Sequence, residues 1–450
     1  MLVFLTLYIL GCIYLLKNCS DKLNPMVWLI IAYSFITGMY FFSGVNYSNK
    51  ASVSVFLYLT LNIGTFYFWF KYCSMPKDYL HSVVRNDSSI KIIPNRTLRN
   101  IEIIGYIGVV VYLFDFLRLN GVTNMLSLLS LHSSFKTSFL TVAASLMTPS
   151  LLVVWITRIV QITNRTKKFK LGNVSAIVAF SIPNILTSGR QSVLFALLVT
   201  AISFIYVASC NRKARSGVRH NNNDNRIWQA LRKNKKRLIA IAVTLLIVTS
   251  SYMSYVAINR NTYSYKLESF KQVFDATVSD STNRLCTEYG GLSDALIDFV
   301  FYYSHELPYL QILIDYYNGP YGFGMYQFHY IARRLAVLGV NPTIVDETLE
   351  NMSRSRNVSD HLYRTVLGSA ICDFGLIGTV LFISILGYLS GRAYKRYKRQ
   401  KSTWNIVNMI YICACVVFSI EYSPFREPAI AYTLLWIMII RKRFRYENEN

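Results

Sequence analysis

Eleven apolar runs, most of them close to twenty residues long, leave this chain little choice of solvent. They fall at 1–16, 26–44, 52–70, 101–118, 138–160, 171–187, 191–209, 238–257, 367–391, 403–420 and 429–441. A bilayer core is crossed by about 20 mostly apolar residues in a helix. Within it every backbone polar group must be satisfied by protein. The expected fold class is therefore all-α, a polytopic helical membrane protein with about 11 transmembrane helices. Charged residues make up only 16% of the 450-residue chain, against about 25% in soluble domains. The shortage extends along the whole length, which excludes a soluble enzyme on one anchor. The first run lacks a basic stretch before it and a small-residue cleavage site after it, so it reads as a retained helix.

The net charge of +24 would suggest a nucleic acid partner in a soluble protein. Its distribution argues otherwise. With the C-terminus in the cytoplasm, the internal segments are 17–22, 71–99, 158–170, 211–237, 392–401 and 441–450. They hold 33 of the 47 Lys and Arg residues, ten of them in 211–237. That is the bias of cytoplasmic loops, and it places the N-terminus outside. The external segments are then 45–51, 119–137, 188–190, 258–366 and 421–428. Three regions follow: helices 1–8 over 1–257, a large external loop over 258–366 with amphipathic helices at 293–317 and 325–338, and helices 9–11 with a cytoplasmic tail over 367–450. Eight Cys without a CxxC pair or a His/Cys cluster indicate neither a disulfide framework nor a zinc site.

The external cations carry the chemical signal. Of fourteen, ten are Arg, whose planar fork pairs with phosphate at two points. An anionic ligand such as a lipid pyrophosphate fits this set, and so does plain headgroup contact. Arg190 sits at a hairpin tip, Ser188-Gly189-Arg190, where a charge either snorkels or lines a cavity. The following helix N-terminus adds attraction for an anion. Arg260 directly follows the eighth run, and Arg333-Arg334 lie on an expected amphipathic helix. Arg426 has Glu427 and Glu421 as nearby pairing partners in sequence. His361 in Asp360-His361-Leu362-Tyr363-Arg364 is a candidate general base or sugar contact. Asp294, Asp298, Glu306, Asp346, Glu347 and Asp360 are alternatives for the base. Twelve Phe and Tyr residues between Phe299 and Tyr330 suit sugar stacking as well as interfacial anchoring.

The segment Asp373-Phe374-Gly375-Leu376-Ile377-Gly378 opens a helix straight after the large loop, with Tyr321-Gly322-Phe323-Gly324 and the Ser188-Gly189-Arg190 hairpin upstream. In order and placement these resemble the Wzy-type oligosaccharide repeat-unit polymerases of O-antigen and capsule, a group related to the O-antigen ligases. The resemblance covers most of the chain through topology, on short motifs. It implies a GT-C-like membrane glycosyltransferase that needs no cofactor or metal. It implies transfer of a growing glycan from undecaprenyl pyrophosphate to the non-reducing end of another lipid-linked repeat unit. Arg190 and Arg260 would hold the pyrophosphate as catalytic residues together with His361. Arg333, Arg334, Tyr363, Arg364 and Arg426 would contact substrate. The spacing from His361 to Gly375 and Gly378 is longer than in the ligases, which favours a polymerase. Implied partners are undecaprenyl-pyrophosphate-linked oligosaccharides, the lipid bilayer and a polysaccharide co-polymerase that regulates chain length, with no nucleic acid. The implied location is the bacterial inner membrane.

Three other activities compete. A ligase would use the same donor with a lipid A-core acceptor. A lipid-linked oligosaccharide flippase would carry charges inside its helices and only short loops, whereas here the runs are nearly free of charge apart from Asp115 and residues at their ends. A membrane acyltransferase would place a His within the membrane, and no run contains one.

Overall fold

The computed structural model describes residues 2–19, 21–75, 95–120, 138–163, 174–186, 190–216, 276–281, 284, 300, 303–335, 343–355, 365–400 and 402–447. The described elements are helices α1 (Leu2–Asn18), α2 (Pro25–Phe42), α3 (Val53–Ser74), α4 (Asn95–Asn120), α5 (Phe139–Met147), α6 (Ser150–Thr163), α7 (Ser175–Leu186) and α8 (Arg190–Ser216), then α9 (Glu306–Tyr316), α10 (His329–Leu335), α11 (Ile344–Ser355), α12 (Val366–Arg399), α13 (Thr403–Phe418) and α14 (Pro428–Glu447). Two short strands, β1 (Val45–Tyr47) and β2 (Ala276–Val278), pair antiparallel with Asn46 opposite Thr277. The protein is a helical membrane protein. Among the described residues six segments are long and apolar enough to cross a bilayer: Pro25–Phe42, Val53–Ser74, Arg96–Leu119, Phe139–Gln161, Gln191–Ser209 and Val366–Arg399. Four further apolar helices, Val3–Lys17, Ser175–Ile185, Thr403–Phe418 and Pro428–Arg441, are shorter. The run at 238–257 lies outside the described residues.

Local chemistry sets where these helices begin. Asn24 caps α2 by accepting the Met26 N–H, and Pro25 follows, where a missing N–H costs nothing. Ser52, Thr365 and Ser402 cap α3, α12 and α13 in the same way. At α5, Ser138 and Thr141 cap each other reciprocally. The Asp115 carboxylate, fully buried near the end of α4, accepts from the hydroxyls of both and from the Thr141 N–H. Asp115 thus anchors one helix to the N-terminus of the next, where the dipole favours an anion.

Helix α12 runs against α3 with backbones nearly touching. A Cβ on Gly387 would stand 2.6 Å from the Phe66 carbonyl oxygen, and one on Gly391 2.5 Å from that of Phe70. Glycines four apart on one helix face let two backbones approach, the usual way apolar helices associate in lipid. The Tyr58 hydroxyl adds a bond to the Leu376 carbonyl at 2.9 Å.

The described part of the large loop packs into the bundle. Leu307, Tyr309, Leu310, Ile312 and Leu313 of α9 share one hydrophobic core with Ile36 of α2, Phe56 and Leu59 of α3, and Leu367 and Ile371 of α12. The sequence suggested an amphipathic helix here. Instead the first eight residues of α9 are buried on every side, because the helix packs against α2, α3 and α12. Helix α11, which the sequence did not mark as amphipathic, turns Val345, Leu349 and Met352 inward on one stripe. The ribbon of β1 with β2 ties the segment after α2 to the same loop, a strand pairing the all-α expectation did not contain.

At the opposite end, Asp21 in the α1–α2 turn is bonded by the Lys398 ammonium at 2.6 Å, the Tyr394 hydroxyl at 3.1 Å and the Leu23 N–H at 3.1 Å. Burial pushes the Asp21 carboxyl up, but these partners together outweigh it and hold its pKa below the ordinary value. A depressed carboxyl pKa contributes stability that is present above the unfolded value, near 3.9, and lost as pH falls through the folded value. Asp21→Asn should therefore lower detergent-phase thermal stability by about 1–3 kcal/mol at neutral pH, with the gap to wild type closing below about pH 4. A gap that is constant down to low pH would contradict this.

A second expectation concerns the glycine contact. Gly387→Leu or Gly391→Leu should destabilise the solubilised protein by about 1–3 kcal/mol or more through overpacking. Gly64→Leu on α3, where a Cβ meets nothing within 4 Å, should leave the melting temperature unchanged. Equal melting of all three variants would remove the close-packing account.

Candidate functional site

The two glycine-bearing motifs of the sequence meet in space. Helix α12 breaks at Gly375, whose φ of 70° and ψ of −176° lie outside helical values. Only glycine adopts this conformation without strain. Just before the break, the Cys372 carbonyl accepts the Gly322 N–H at 3.1 Å and the Asp373 carbonyl accepts the Phe323 N–H at 2.9 Å. The Asp373 side chain, with no exposed surface, accepts the Tyr326 N–H on Oδ1 and the Gln327 N–H on Oδ2, both at 2.8 Å. A Cβ on Gly322 would stand 2.4 Å from Asp373 Oδ1, so this position requires glycine. The turn from Tyr317 to Phe328 is thus sewn onto the broken helix by four backbone donors.

Further bonds fix the turn. The Tyr317 hydroxyl donates to the carbonyls of Pro320 at 2.6 Å and Cys372 at 3.3 Å. Burial, together with Cys372 and Asp373 nearby, pushes the Tyr317 phenol well up, so it stays neutral and donates. The Gly319–Pro320 bond is cis, and Phe323 takes a left-handed φ of 48° with its ring 78% exposed.

The third wall is the turn between α13 and α14. The Ser423 hydroxyl donates to Gln327 Oε1. The Arg426 guanidinium lies 3.9 Å from the centre of the Tyr326 ring and 5.9 Å from that of Tyr422, and its Nη2 is 3.9 Å from Asp346 Oδ1. The sequence offered Glu427 or Glu421 as partners for this Arg. The structure directs those acids elsewhere: Glu427 accepts the Ser192 hydroxyl of α8 at 2.5 Å, and Glu421 accepts the Tyr303 hydroxyl at 3.3 Å. The turn points Arg426 across Tyr326 towards α11 instead. Burial, followed by the Glu421 carboxylate, pushes the Tyr303 phenol well up.

Of the site residues expected from sequence, Arg426 is therefore placed at this junction. Arg190 is the first residue of α8, and Ser192 in its first turn touches the 423–427 turn through Glu427. Arg333 and Arg334 belong to α10, which follows Tyr326–Phe328 directly. Arg260, His361, Tyr363 and Arg364 lie outside the described residues, as do the alternative acids Asp294, Asp298 and Asp360. Among the remaining acids, Glu306 is buried and accepts the Thr365 N–H at 3.1 Å, with His305 Nε2 3.6 Å from its other oxygen. It orients the start of α12. Glu347 accepts the Thr343 hydroxyl at 2.9 Å, and Asp346 faces Arg426. The sequence marked Tyr303 only as one of the loop aromatics, and it did not single out His305, Gln327 or the carboxylate role of Asp373. The acid in Asp373-Phe374-Gly375, an ionisable group at membrane depth, was the available signal for the last.

Comparison with protein families, with curated proteins and with solved structures gave no match.

Removing the Asp373 carboxylate leaves two buried N–H groups unpaired. Asp373→Ala should cost about 2–4 kcal/mol and raise amide hydrogen exchange at Tyr326 and Gln327 by about tenfold or more. Unchanged exchange at these amides would show that the turn holds without the acid.

Proposed function

We propose that this protein polymerises undecaprenyl-pyrophosphate-linked oligosaccharide repeat units into O-antigen or capsular polysaccharide on the non-cytoplasmic face of a bacterial inner membrane. The observation that carries the reading is the junction itself. The Tyr321–Gly324 motif is docked on the Asp373–Gly375 motif at a break in a membrane-spanning helix, with Arg426 beside it and the first turn of α8, which Arg190 opens, next to the same turn. The sequence resemblance rests on those same motifs. In this reading the chain has eleven spans in a GT-C-like arrangement, with the N-terminus outside and the C-terminus in the cytoplasm. The Lys/Arg bias supports that orientation.

The chemistry follows from the substrate. The lipid pyrophosphate leaves as the new glycosidic bond forms, so the rate depends on neutralising developing charge on the phosphate oxygens. Arg190 and Arg260 hold the pyrophosphate. Arg426, stacked on Tyr326 and half-buried, presents a guanidinium of fixed direction to the glycan or phosphate. Arg333, Arg334, Tyr363 and Arg364 contact substrate as well. A general base takes the proton of the acceptor hydroxyl, with His361 or a nearby acid such as Asp346 in that role. No nucleotide sugar is required, which suits a site facing away from the cytoplasm. Described residues of 45–51, 258–366 and 421–428 and the first turn of α8 contact one another at one end of the bundle, which supports a shared external face.

The test is the surface-polysaccharide profile of a deletion strain. Deletion should leave core bearing a single repeat unit, and wild type should restore the ladder. Arg190→Ala and Arg260→Ala, expressed normally, should each reduce polymer by about 10²–10³-fold. Long polymer stranded on the lipid carrier would make the protein a ligase, and a normal ladder in the deletion strain would remove it from glycan assembly.

A further inference from the structure

A second feature of the same end of the bundle is a polar cleft of about 450 Å³ between the stretch 48–54 and the last turns of α9. Its size falls in the ~300–1,000 Å³ range of small-ligand sites. Asn49, Lys50, Ser52, Gln311, Asp315 and Tyr316 line it. Its floor is built and not adventitious. Gln311 is 8% exposed, accepts the Ser52 N–H at 2.9 Å on Oε1 and donates to Asp315 Oδ2 at 2.6 Å from Nε2. The amide thereby fixes the start of α3, the end of α9 and the direction of the Asp315 carboxylate together. Ser52 and Ser54 present hydroxyls 2.7 Å apart on the rim.

The lining selects a class of ligand. It carries one cation, Lys50, and one anion, Asp315, so no net field concentrates phosphate. It is lined almost wholly by polar groups, which is wrong for acyl chains. Hydroxyls, amides and an oriented carboxylate beside a flat ring, Tyr316 at 41% exposure, match a polyhydroxyl ligand with alternating donors and acceptors and an apolar ring face. Position links the cleft to the junction: Tyr316 is followed by Tyr317, whose hydroxyl bonds the Cys372 carbonyl at the break in α12.

We propose that this cleft is a glycan subsite that holds an uncharged sugar of the repeat unit away from the pyrophosphate. The inference rests on the polymerase reading and adds to it where the oligosaccharide lies. Sugar bound here enters from the α9 side and reaches the Asp373–Arg426 junction along the Tyr317–Tyr321 turn. The cleft then reads the composition of the repeat unit while the junction handles its reducing end.

The test uses the purified full chain in phospholipid nanodiscs. The probe is the repeat-unit oligosaccharide freed from its lipid pyrophosphate by mild acid, taken from the polysaccharide of the cell that makes this protein. Binding is followed by saturation-transfer NMR and titration calorimetry. Asp315→Asn and Tyr316→Ala change exposed side chains, and a thermal melt confirms that each variant is folded. Each should weaken oligosaccharide binding by about tenfold or more, and the double variant should abolish it. Equal affinity in wild type and variants overturns the proposal, as does absence of binding to wild type. Loss of a co-purifying phospholipid from the variants with unchanged oligosaccharide affinity assigns the cleft to a lipid headgroup and also overturns it. These failures are distinct from that of the polymerase reading, which fails when the deletion strain still makes its ladder.

Discussion

The structure depends on how a membrane-spanning helix can be broken without leaving its backbone unpaired. Lipid offers no hydrogen bonds, so groups freed at the Gly375 break need protein partners. They find them in the Tyr317–Phe328 turn, whose N–H groups reach the Cys372 and Asp373 carbonyls and the Asp373 carboxylate. The exchange is mutual. The buried acid would be costly without donors, and the turn, rich in glycine and left-handed φ values, would not hold one shape without the acid. Charge-assisted bonds to a fully buried carboxylate are the strong kind. Each motif is therefore the condition for the other.

Rigidity elsewhere transmits this arrangement. The Gly387 and Gly391 contacts lock α12 to α3 along their lengths, and Gln311 joins α3 to α9 at the opposite flank. Glu306 ties α9 back to the start of α12 through the Thr365 N–H. These links close a ring of α3, α9 and α12 around one hydrophobic core. Through these links α9, the described helix of the loop nearest the bundle, is tied to two membrane helices.

Much of this was legible in the sequence because lipid imposes a strong pattern. Ten of the eleven apolar runs coincide with described apolar helices, whereas the segment 373–378, which read as the opening of a helix, proves to be a break inside one that starts at Val366. What stayed hidden was tertiary. The burial of α9 on all sides reads, from sequence, as a modest amphipathic stripe, because its outer partners are distant in the chain. The pairing of Val45–Tyr47 with Ala276–Val278 joins segments about 230 residues apart, with no local signal. Arg426 lay next to two acids in sequence, yet the turn geometry gave those acids to Ser192 and Tyr303 and set the Arg on Tyr326. The Gln311 bridge and the cleft above it arise from the same kind of long-range contact.

The most direct measurement is turnover by the purified chain in nanodiscs supplied with its lipid-linked repeat unit and no other substrate. The account predicts a ladder of lipid-linked polymer and one undecaprenyl pyrophosphate released for each new linkage, without nucleotide sugar or ATP. Recovery of repeat units unlinked, with no pyrophosphate lipid released by a folded protein, would contradict it.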